Sequence, residues 1–205
     1  MRKRFLLLLF LLILPPAWAG NPVILVLGDS LSAGYGLPPG EGWVDLLEQR
    51  LERQGYPHDV VNASVSGDTT AGGLARLPRA LERHGADVLL IVLGGNDGLR
   101  GVQPAETRSN LARMIELGQR HGAQVLIAQI RLPPNYGPAF GARFERMFQE
   151  LSRDHQAPLI PFIPNDFGGS PGLVQDDGLH PSAEAQPLLL ENVWPLLEQA
   201  LDPAM

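Results

Sequence analysis

Val23-Ile24-Leu25-Val26-Leu27-Gly28-Asp29-Ser30 is the stretch of this 205-residue sequence that decides its fold. The apolar, β-branched-rich run at 23–27 predicts a buried strand. A serine just beyond the end of such a strand lies where open α/β sheets bind ligands. The hydroxyl of Ser30 is poorly placed there for packing and well placed for nucleophilic chemistry. Ser30 is therefore a candidate nucleophile, provided that the chain supplies a base and an oxyanion site.

Apolar runs alternate with amphipathic stretches along the rest of the chain. The predicted strands are 23–27, 59–62, 88–93, 124–130 and 159–162, and the predicted helices are 43–53, 70–83, 104–121, 140–155 and 183–201. This alternation is typical of βαβ units, which form a parallel sheet with helices on both faces, so the fold class is α/β. Pro78 is expected to divide the second helix in two, because proline removes a helical hydrogen bond.

The N-terminus has the three parts of a secretory signal peptide. Three basic residues at 2–4 precede ten apolar residues at 5–14 and an Ala-x-Ala pattern that ends at Ala19. The apolar run is too short to span a bilayer. Cleavage is expected near Ala19-Gly20, with export to a bacterial periplasm and no integral membrane segment afterwards. The predicted organisation is a signal peptide (1–19) and a single domain (20–205).

Composition excludes several functional classes. The chain has no cysteine, so it forms no disulfide and no thiolate metal site. Removing three of the 16 basic residues with the signal leaves 13 against 22 acidic residues, a net charge of −9. This balance argues against nucleic acid and anionic lipid as partners. Lys3 is the only lysine, which excludes Schiff-base and Ser-Lys mechanisms from the mature protein. Neither a metal-ligand cluster nor a P-loop is found, so no metal and no other cofactor is expected.

The best candidate base among the five histidines is His180. Three others end predicted helices, where a histidine stabilises the last carbonyls, and His58 lies in a loop. His180 follows Asp177 by three residues, immediately before the last helix. In one tight turn this spacing can place the carboxylate against the imidazole Nδ1–H. An ordinary Asp-Gly turn before a helix has the same pattern, and the motif alone does not decide between the two.

Two candidate oxyanion donors follow the second and third predicted strands. Gly67 offers a backbone N–H just before a helix, and Asn96 offers a side-chain amide. Each alone could be an ordinary turn residue. Because Ser30, Gly67 and Asn96 follow three different parallel strands, we expect all three at one edge of the sheet. The loop carrying Asp177 and His180 can reach that edge, so the combination predicts an active site.

Other polar residues near these segments are interpreted as structural. Asp29, Asp68 and Asp97 are expected to accept backbone N–H bonds that hold the three loops. The stretch 168–172 matches the G-x-S-x-G pattern formally, but no apolar strand precedes it and it contains a proline. It is therefore not expected to hold the nucleophile.

Four segments of the sequence resemble the blocks of the SGNH, or GDSL, hydrolase family. They are 28–32, 66–68, 94–97 and 177–181. The resemblance implies a flavodoxin-like three-layer α/β/α sandwich with about five parallel strands. It also implies that Ser30 is the nucleophile, His180 the base and Asp177 its partner. The backbone N–H groups of Ser30 and Gly67 and the side chain of Asn96 would then form the oxyanion hole.

The family resemblance also sets the expected activity. It implies a serine ester hydrolase that acts on aryl esters, fatty-acyl esters or thioesters, and lysophospholipids through an acyl-enzyme. The loops 98–103 and about 132–141 would border the acyl pocket, where Leu99 and residues 132–136 make an apolar rim suited to an aryl or acyl chain. The expected partner is a small acyl ester or thioester, and the protein is expected to be a monomer. The alternatives are a carbohydrate deacetylase of the same family and a non-catalytic ligand-binding protein of the same fold.

Overall fold

The computed structural model describes residues 20–163 and 172–201. The predicted signal peptide, nearly all of the 168–172 stretch and the last four residues lie outside the described residues. In the described part of the chain, five parallel strands form one sheet in the order β2-β1-β3-β4-β5. They are β1 (Val23–Gly28), β2 (Asp59–Asn62), β3 (Val88–Val92), β4 (Gln124–Ala128) and β5 (Leu159–Ile160).

Helices cover both faces of this sheet. They are α1 (Trp43–Gln54), α2 (Thr70–His84), α3 (Gly95–Leu99), α4 (Pro104–Arg120), α5 (Pro138–His155) and α6 (Gln186–Leu201). The chain moves to β2 through α1 and reverses to β3 through α2, so right-handed crossovers place α1 and α2 on opposite faces. Helix α1 packs against α6, whereas α4 packs against both α2 and α5. The result is the predicted three-layer α/β/α sandwich.

The core lies on both sides of the central strands. Ile24–Leu27 in β1 and the whole of β3 are buried, as expected for parallel strands that are covered on both faces. The largest fully buried side chains include Trp43 from α1 and Phe144 and Phe148 from α5. The core therefore fixes the carboxyl ends of the strands relative to one another.

No helix in residues 20–163 and 172–201 is long and apolar enough to cross a membrane.

Element bounds differ from the predictions mainly at the strand ends. The third, fourth and fifth strands end one or two residues before their predicted ends, at Val92, Ala128 and Ile160. The last helix begins as a 3-10 turn at Ala183–Ala185 and becomes α-helical only from Gln186. Helix α3 was not predicted, because its five residues include two glycines, which disfavour a helix.

The prediction that Pro78 divides the second helix is wrong. Helix α2 runs without interruption from Thr70 to His84 and is capped by Thr69, whose Oγ1 accepts the Gly72 N–H at 3.3 Å. Pro78 is exposed, so the carbonyl that it leaves without a helical partner can be hydrated. Leu77 is buried against the sheet, and this packing keeps the helix continuous.

Candidate active site

The site lies at the carboxyl ends of β1 and β3, where the strand order reverses. Ser30 comes two residues after β1. Its loop is fixed by the Ala33 N–H, which donates to the Asp29 carbonyl at 2.9 Å, and by Trp43 Nε1, which donates to the Leu31 carbonyl at 3.1 Å. Open α/β sheets bind ligands at such a reversal. The backbone therefore presents Ser30 where a ligand would bind.

Ser30, His180 and Asp177 are brought together in a line. The Nε2 atom of His180 is 2.9 Å from the Oγ of Ser30, although 150 positions separate the two residues. The Nδ1 atom of His180 is 2.5 Å from the Oδ2 of Asp177. An imidazole held between a hydroxyl and a carboxylate can take the hydroxyl proton and keep the resulting charge stabilised.

The Asp177 carboxylate is fixed by its own turn. Its Oδ1 accepts the backbone N–H groups of Leu179 and His180 at 2.9 and 3.0 Å. The hydrogen bond with the His180 side chain, together with these two backbone bonds, lowers the pKa of Asp177 to about 2. The carboxylate therefore stays ionised, and able to orient the imidazole, over the whole range in which proteins usually work.

Gly67 and Asn96 line the same cleft as Ser30 and His180. Gly67 has a φ of +79°, a left-handed conformation that favours glycine, and its carbonyl accepts a bond from Arg100 Nη2 at 2.8 Å. Asn96 lies in the first turn of α3. The loop after β2 and the helix after β3 thus bring both predicted donors to one place.

The Asn96 side chain is held by a hydrogen bond to Asp29. The Oδ2 of Asp29 accepts one N–H of the Asn96 amide at 3.2 Å, and its Oδ1 accepts the Leu31 N–H at 3.0 Å. A carboxamide has two N–H groups, so Asn96 keeps a second donor. Asp29 is buried, and this burial raises its pKa to about 6 despite the two bonds. As predicted, its role is to accept hydrogen bonds that hold the loop.

Asp68 and Asp97 also accept backbone N–H bonds, as predicted. Asp68 accepts from the N–H of Thr69 at 3.0 Å and from Arg76 Nε at 2.7 Å. Asp97 is buried and accepts from the N–H and the hydroxyl of Thr70 at 2.8 and 2.5 Å. These bonds join the loop after β2 to helices α2 and α3, and so stabilise the surroundings of both Gly67 and Asn96.

Gln175 is a site residue that the sequence analysis missed. Its Nε2 donates to the carbonyls of Tyr35 and Pro181, both at 2.9 Å, and its backbone N–H donates to the His180 carbonyl at 2.8 Å. One side chain therefore joins the loop that follows Ser30 to the loop that carries His180. A single glutamine in a loop carries no sequence signal for this role, because both of its side-chain partners are backbone carbonyls.

The cleft beside Ser30 has a volume of about 1410 Å³. Its wall is made by the segment after β4 and the N-terminal half of α5, with apolar contributions from Leu99, Ile130, Leu132, Pro133 and Ala142. Of the predicted rim, Leu99, Leu132 and Pro133 line the cleft, while the Tyr136 hydroxyl donates to the Leu99 carbonyl at 3.0 Å. The cleft also has a charged part, where Nη2 of Arg131, in the segment after β4, is 3.8 Å from Oε2 of Glu145 on α5.

The other four histidines, all in the described residues, do not line this cleft. His121 follows α4, and its Nδ1 is 2.9 Å from the Leu117 carbonyl, as expected for a histidine at a helix C-terminus. His84 and His155 are the last residues of α2 and α5. Among the histidines, therefore, only His180 is placed to act on Ser30.

A parallel α/β/α sandwich with a serine, a histidine and an aspartate in line at its carboxyl edge is typical of serine hydrolases. The profile of the GDSL-like Lipase/Acylhydrolase family matches residues 26–187. The chain belongs to this family and is a carboxylic ester hydrolase.

Relatives of known name agree with this assignment. The chain is 47% identical over 190 residues to Esterase TesA of Pseudomonas aeruginosa, covering 93% of this chain and 94% of that protein. It is 41% identical over 183 residues to Thioesterase 1/protease 1/lysophospholipase L1 of Escherichia coli K12, covering 89% and 86%. A crystal structure of TesA superposes with a TM-score of 0.84 at 49% identity, covering 87% of this chain and 99% of that one.

Proposed function

We infer that this protein is a periplasmic serine esterase that hydrolyses aryl esters, fatty-acyl esters and thioesters, and lysophospholipids. The observation that carries this proposal is the 2.9 Å contact between Ser30 Oγ and His180 Nε2 at an apolar cleft of about 1410 Å³. A cleft of this size accommodates an acyl chain, and its apolar wall favours hydrocarbon over sugar. The names of the Pseudomonas and Escherichia relatives support esters, thioesters and lysophospholipids among these substrates.

The first step forms an acyl-enzyme. Ser30 Oγ attacks the ester carbonyl carbon while His180 Nε2 accepts the hydroxyl proton, and Asp177 stabilises the imidazolium. The backbone N–H groups of Ser30 and Gly67 and the amide of Asn96 donate to the oxyanion. Each such donor contributes about 3 to 4 kcal/mol to the stability of the transition state. The first step ends when the tetrahedral intermediate collapses and the leaving alcohol or thiol departs with the proton from His180, which leaves the acyl group esterified to Ser30.

The second step releases the acid. His180 then removes a proton from a water molecule, whose oxygen attacks the acyl carbon of the ester on Ser30. Collapse of this second intermediate returns the proton to Ser30 Oγ and releases the carboxylic acid.

The signal-peptide pattern at 1–19 supports a periplasmic location. A periplasmic enzyme does not meet cytoplasmic acyl-CoA. The proposed substrates in the cell are therefore oxygen esters and lysophospholipids, and thioester cleavage is expected only when a thioester is supplied in an assay.

The role of Ser30 is tested by Ser30→Ala. We expect the variant to lose p-nitrophenyl ester hydrolysis and covalent labelling by a fluorophosphonate, while its circular dichroism and melting temperature stay those of the wild type. Ser109→Ala, at an exposed position on α4, is the matched control and should keep both activities. Near-wild-type turnover by folded Ser30→Ala would disprove the mechanism.

The substrate class is tested by a panel of p-nitrophenyl esters from acetyl to palmitoyl, with a decanoyl thioester, a lysophosphatidylcholine and acetyl-xylan. We expect medium acyl chains to give higher kcat/KM than acetyl-xylan, because they fill the apolar cleft. The highest kcat/KM on acetyl-xylan would instead identify a carbohydrate deacetylase. Folded wild-type protein that neither hydrolyses esters nor reacts with the fluorophosphonate would identify a ligand-binding protein.

A further inference from the structure

We propose that the exposed ring of Tyr35 forms a leaving-group subsite beside His180 that favours esters of aromatic alcohols. The proposal rests on the function inferred above, since it needs an acyl transfer at Ser30. Tyr35 is 51% exposed and lines the cleft. Its ring centroid is 4.4 Å from that of His180, with the ring planes tilted by 37°. An exposed aromatic ring thus lies directly against the imidazole.

A second exposed apolar side chain lines the same cleft. Leu179, which precedes His180 in the chain, is 38% exposed. Single exposed apolar residues are common on protein surfaces, but exposed apolar residues that line a cleft are typical of a ligand-binding site. Two separate loops thus contribute exposed apolar side chains to the cleft that His180 lines.

The chemistry of the reaction places the leaving group at this surface. Its oxygen takes the proton from His180 Nε2 and must come within hydrogen-bond distance of that atom. The substituent on this oxygen consequently lies beside the imidazole. In this proposal the acyl chain extends from the tetrahedral carbon along the apolar wall formed by Leu132 and the start of α5. The leaving group then lies on the side of the cleft where the Tyr35 ring contacts His180.

Aromatic rings pair favourably at centroid separations of about 4.5 to 7 Å. A phenyl leaving group beside Tyr35 would make such a contact as the ester bond breaks, whereas a short alkyl group would not. The measured strength of aromatic pairs corresponds to a factor of about 2 to 10 in rate. The ring would therefore raise kcat/KM for aryl esters relative to alkyl esters with the same acyl group.

The backbone around Tyr35 is held independently of its ring. Gly34 and Gly36 have φ values of +70° and +74°, and the Tyr35 carbonyl accepts the Gln175 bond at 2.9 Å. A side chain at Gly36 would clash with the Gln175 amide, since a Cβ there would lie 2.2 Å from its Oε1. Because the ring is half exposed and these backbone contacts hold the loop, we expect variants of Tyr35 to fold.

The test compares phenyl acetate with 2,2,2-trifluoroethyl acetate, an activated ester whose leaving group is not aromatic. We expect Tyr35→Ala to lower the ratio of the kcat/KM for phenyl acetate to that for trifluoroethyl acetate by about 2- to 10-fold. Tyr35→Phe keeps the ring and should keep the wild-type ratio. Leu188→Ala is the matched control, because Leu188 is 43% exposed on α6 and does not line the cleft, and its ratio should also be unchanged.

A ring that only supports His180 would give a different result. Tyr35→Ala would then lower kcat/KM for both esters by the same factor, and an unchanged ratio would overturn the proposal. Fluorophosphonate labelling separates this failure from a failure of the inferred function. Wild-type protein that labels and hydrolyses both esters keeps the function whatever the Tyr35 ratio shows, whereas an unreactive wild type removes both proposals.

Discussion

Among single residues, Asp29 shows how the site is held at some cost to stability. Its carboxyl is buried, yet both oxygens are needed to fix the Asn96 amide and the Leu31 N–H. Burial disfavours the ionised form, and the pKa of Asp29 rises from 3.8 to about 6. The protonated form is therefore favoured in the folded protein compared with the unfolded chain.

The sign of this effect gives a pH-dependent prediction for Asp29→Asn. A pKa that rises on folding stabilises the protein below about pH 4, and this stability is lost as the pH rises through about 6. Asparagine cannot ionise, and its single carbonyl oxygen can accept only one of the two N–H bonds, so the substitution loses a hydrogen bond at both pH values but removes the pH dependence. We expect the free energy of unfolding of Asp29→Asn, relative to that of the wild type, to rise by up to about 3 kcal/mol between about pH 4 and about pH 8, measured by urea unfolding at both pH values.

The matched control is Asp176→Asn, at an exposed position in the loop before His180. It should change the free energy of unfolding little at either pH, because an exposed carboxyl is solvated in both states. The same relative stability of Asp29→Asn at both pH values would contradict a raised pKa of Asp29 in the folded protein.

At the scale of elements, α2 shows that packing can override a helix breaker. Its buried face includes Leu77 and Leu81, whereas Pro78 faces solvent. The proline removes one helical hydrogen bond, while the buried residues Leu77 and Leu81 keep the opposite face of the helix packed. Helix α6 repeats this arrangement with Pro195, which is also exposed. Prolines thus lie inside two helices of the sandwich without dividing either of them.

We expect Pro78→Ala to stabilise the protein by about 1 to 3 kcal/mol, since alanine restores the missing helical bond. The lower value of this range allows for the greater conformational entropy of the unfolded chain without proline, which opposes the gain in stability. Urea midpoints measure the change. Pro104→Ala is the control, because Pro104 is the first residue of α4, where proline suits the helix, and no gain is expected there. A Pro78→Ala variant that is less stable than the wild type would show that the proline itself contributes to packing.

For the whole molecule, Gln186 joins two distant parts of the chain. Its side chain is buried, its Oε1 accepts the Trp43 N–H at 3.0 Å, and its Nε2 donates to the Ser182 carbonyl at 3.0 Å. It connects the start of α1 with the start of α6, immediately after the loop that carries His180. The pair of helices therefore helps to keep His180 near Ser30.

Gln186→Leu should lower the free energy of unfolding by about 2 to 3 kcal/mol, because it leaves the buried Trp43 N–H without its acceptor. We also expect slower fluorophosphonate labelling of Ser30, as the His180 loop loses an anchor. Gln199→Leu, at an exposed position on the same helix, should leave the urea midpoint and the labelling rate unchanged. An unaltered midpoint for Gln186→Leu would mean that neighbouring groups replace its bonds.

Local patterns in the sequence determined most of the architecture. Runs such as Ile24–Leu27 and Val88–Val92 are apolar enough to specify buried parallel strands, and the residues that follow such strands lie at one edge of the sheet. The candidate site of Ser30, Gly67, Asn96, Asp177 and His180 could be proposed on that basis. The signal peptide and the single-domain boundary remain predictions.

The tertiary structure alone decided how these residues are held and what surrounds them. The bond of Asn96 to Asp29, the two bonds of Gln175, the contact of Tyr35 with His180 and the continuity of α2 through Pro78 have no local signal. Each depends on side chains and backbone groups that meet only when separate elements pack together. A short sequence pattern specifies the backbone of its own segment, whereas contacts across the fold depend on the packing of the whole sandwich.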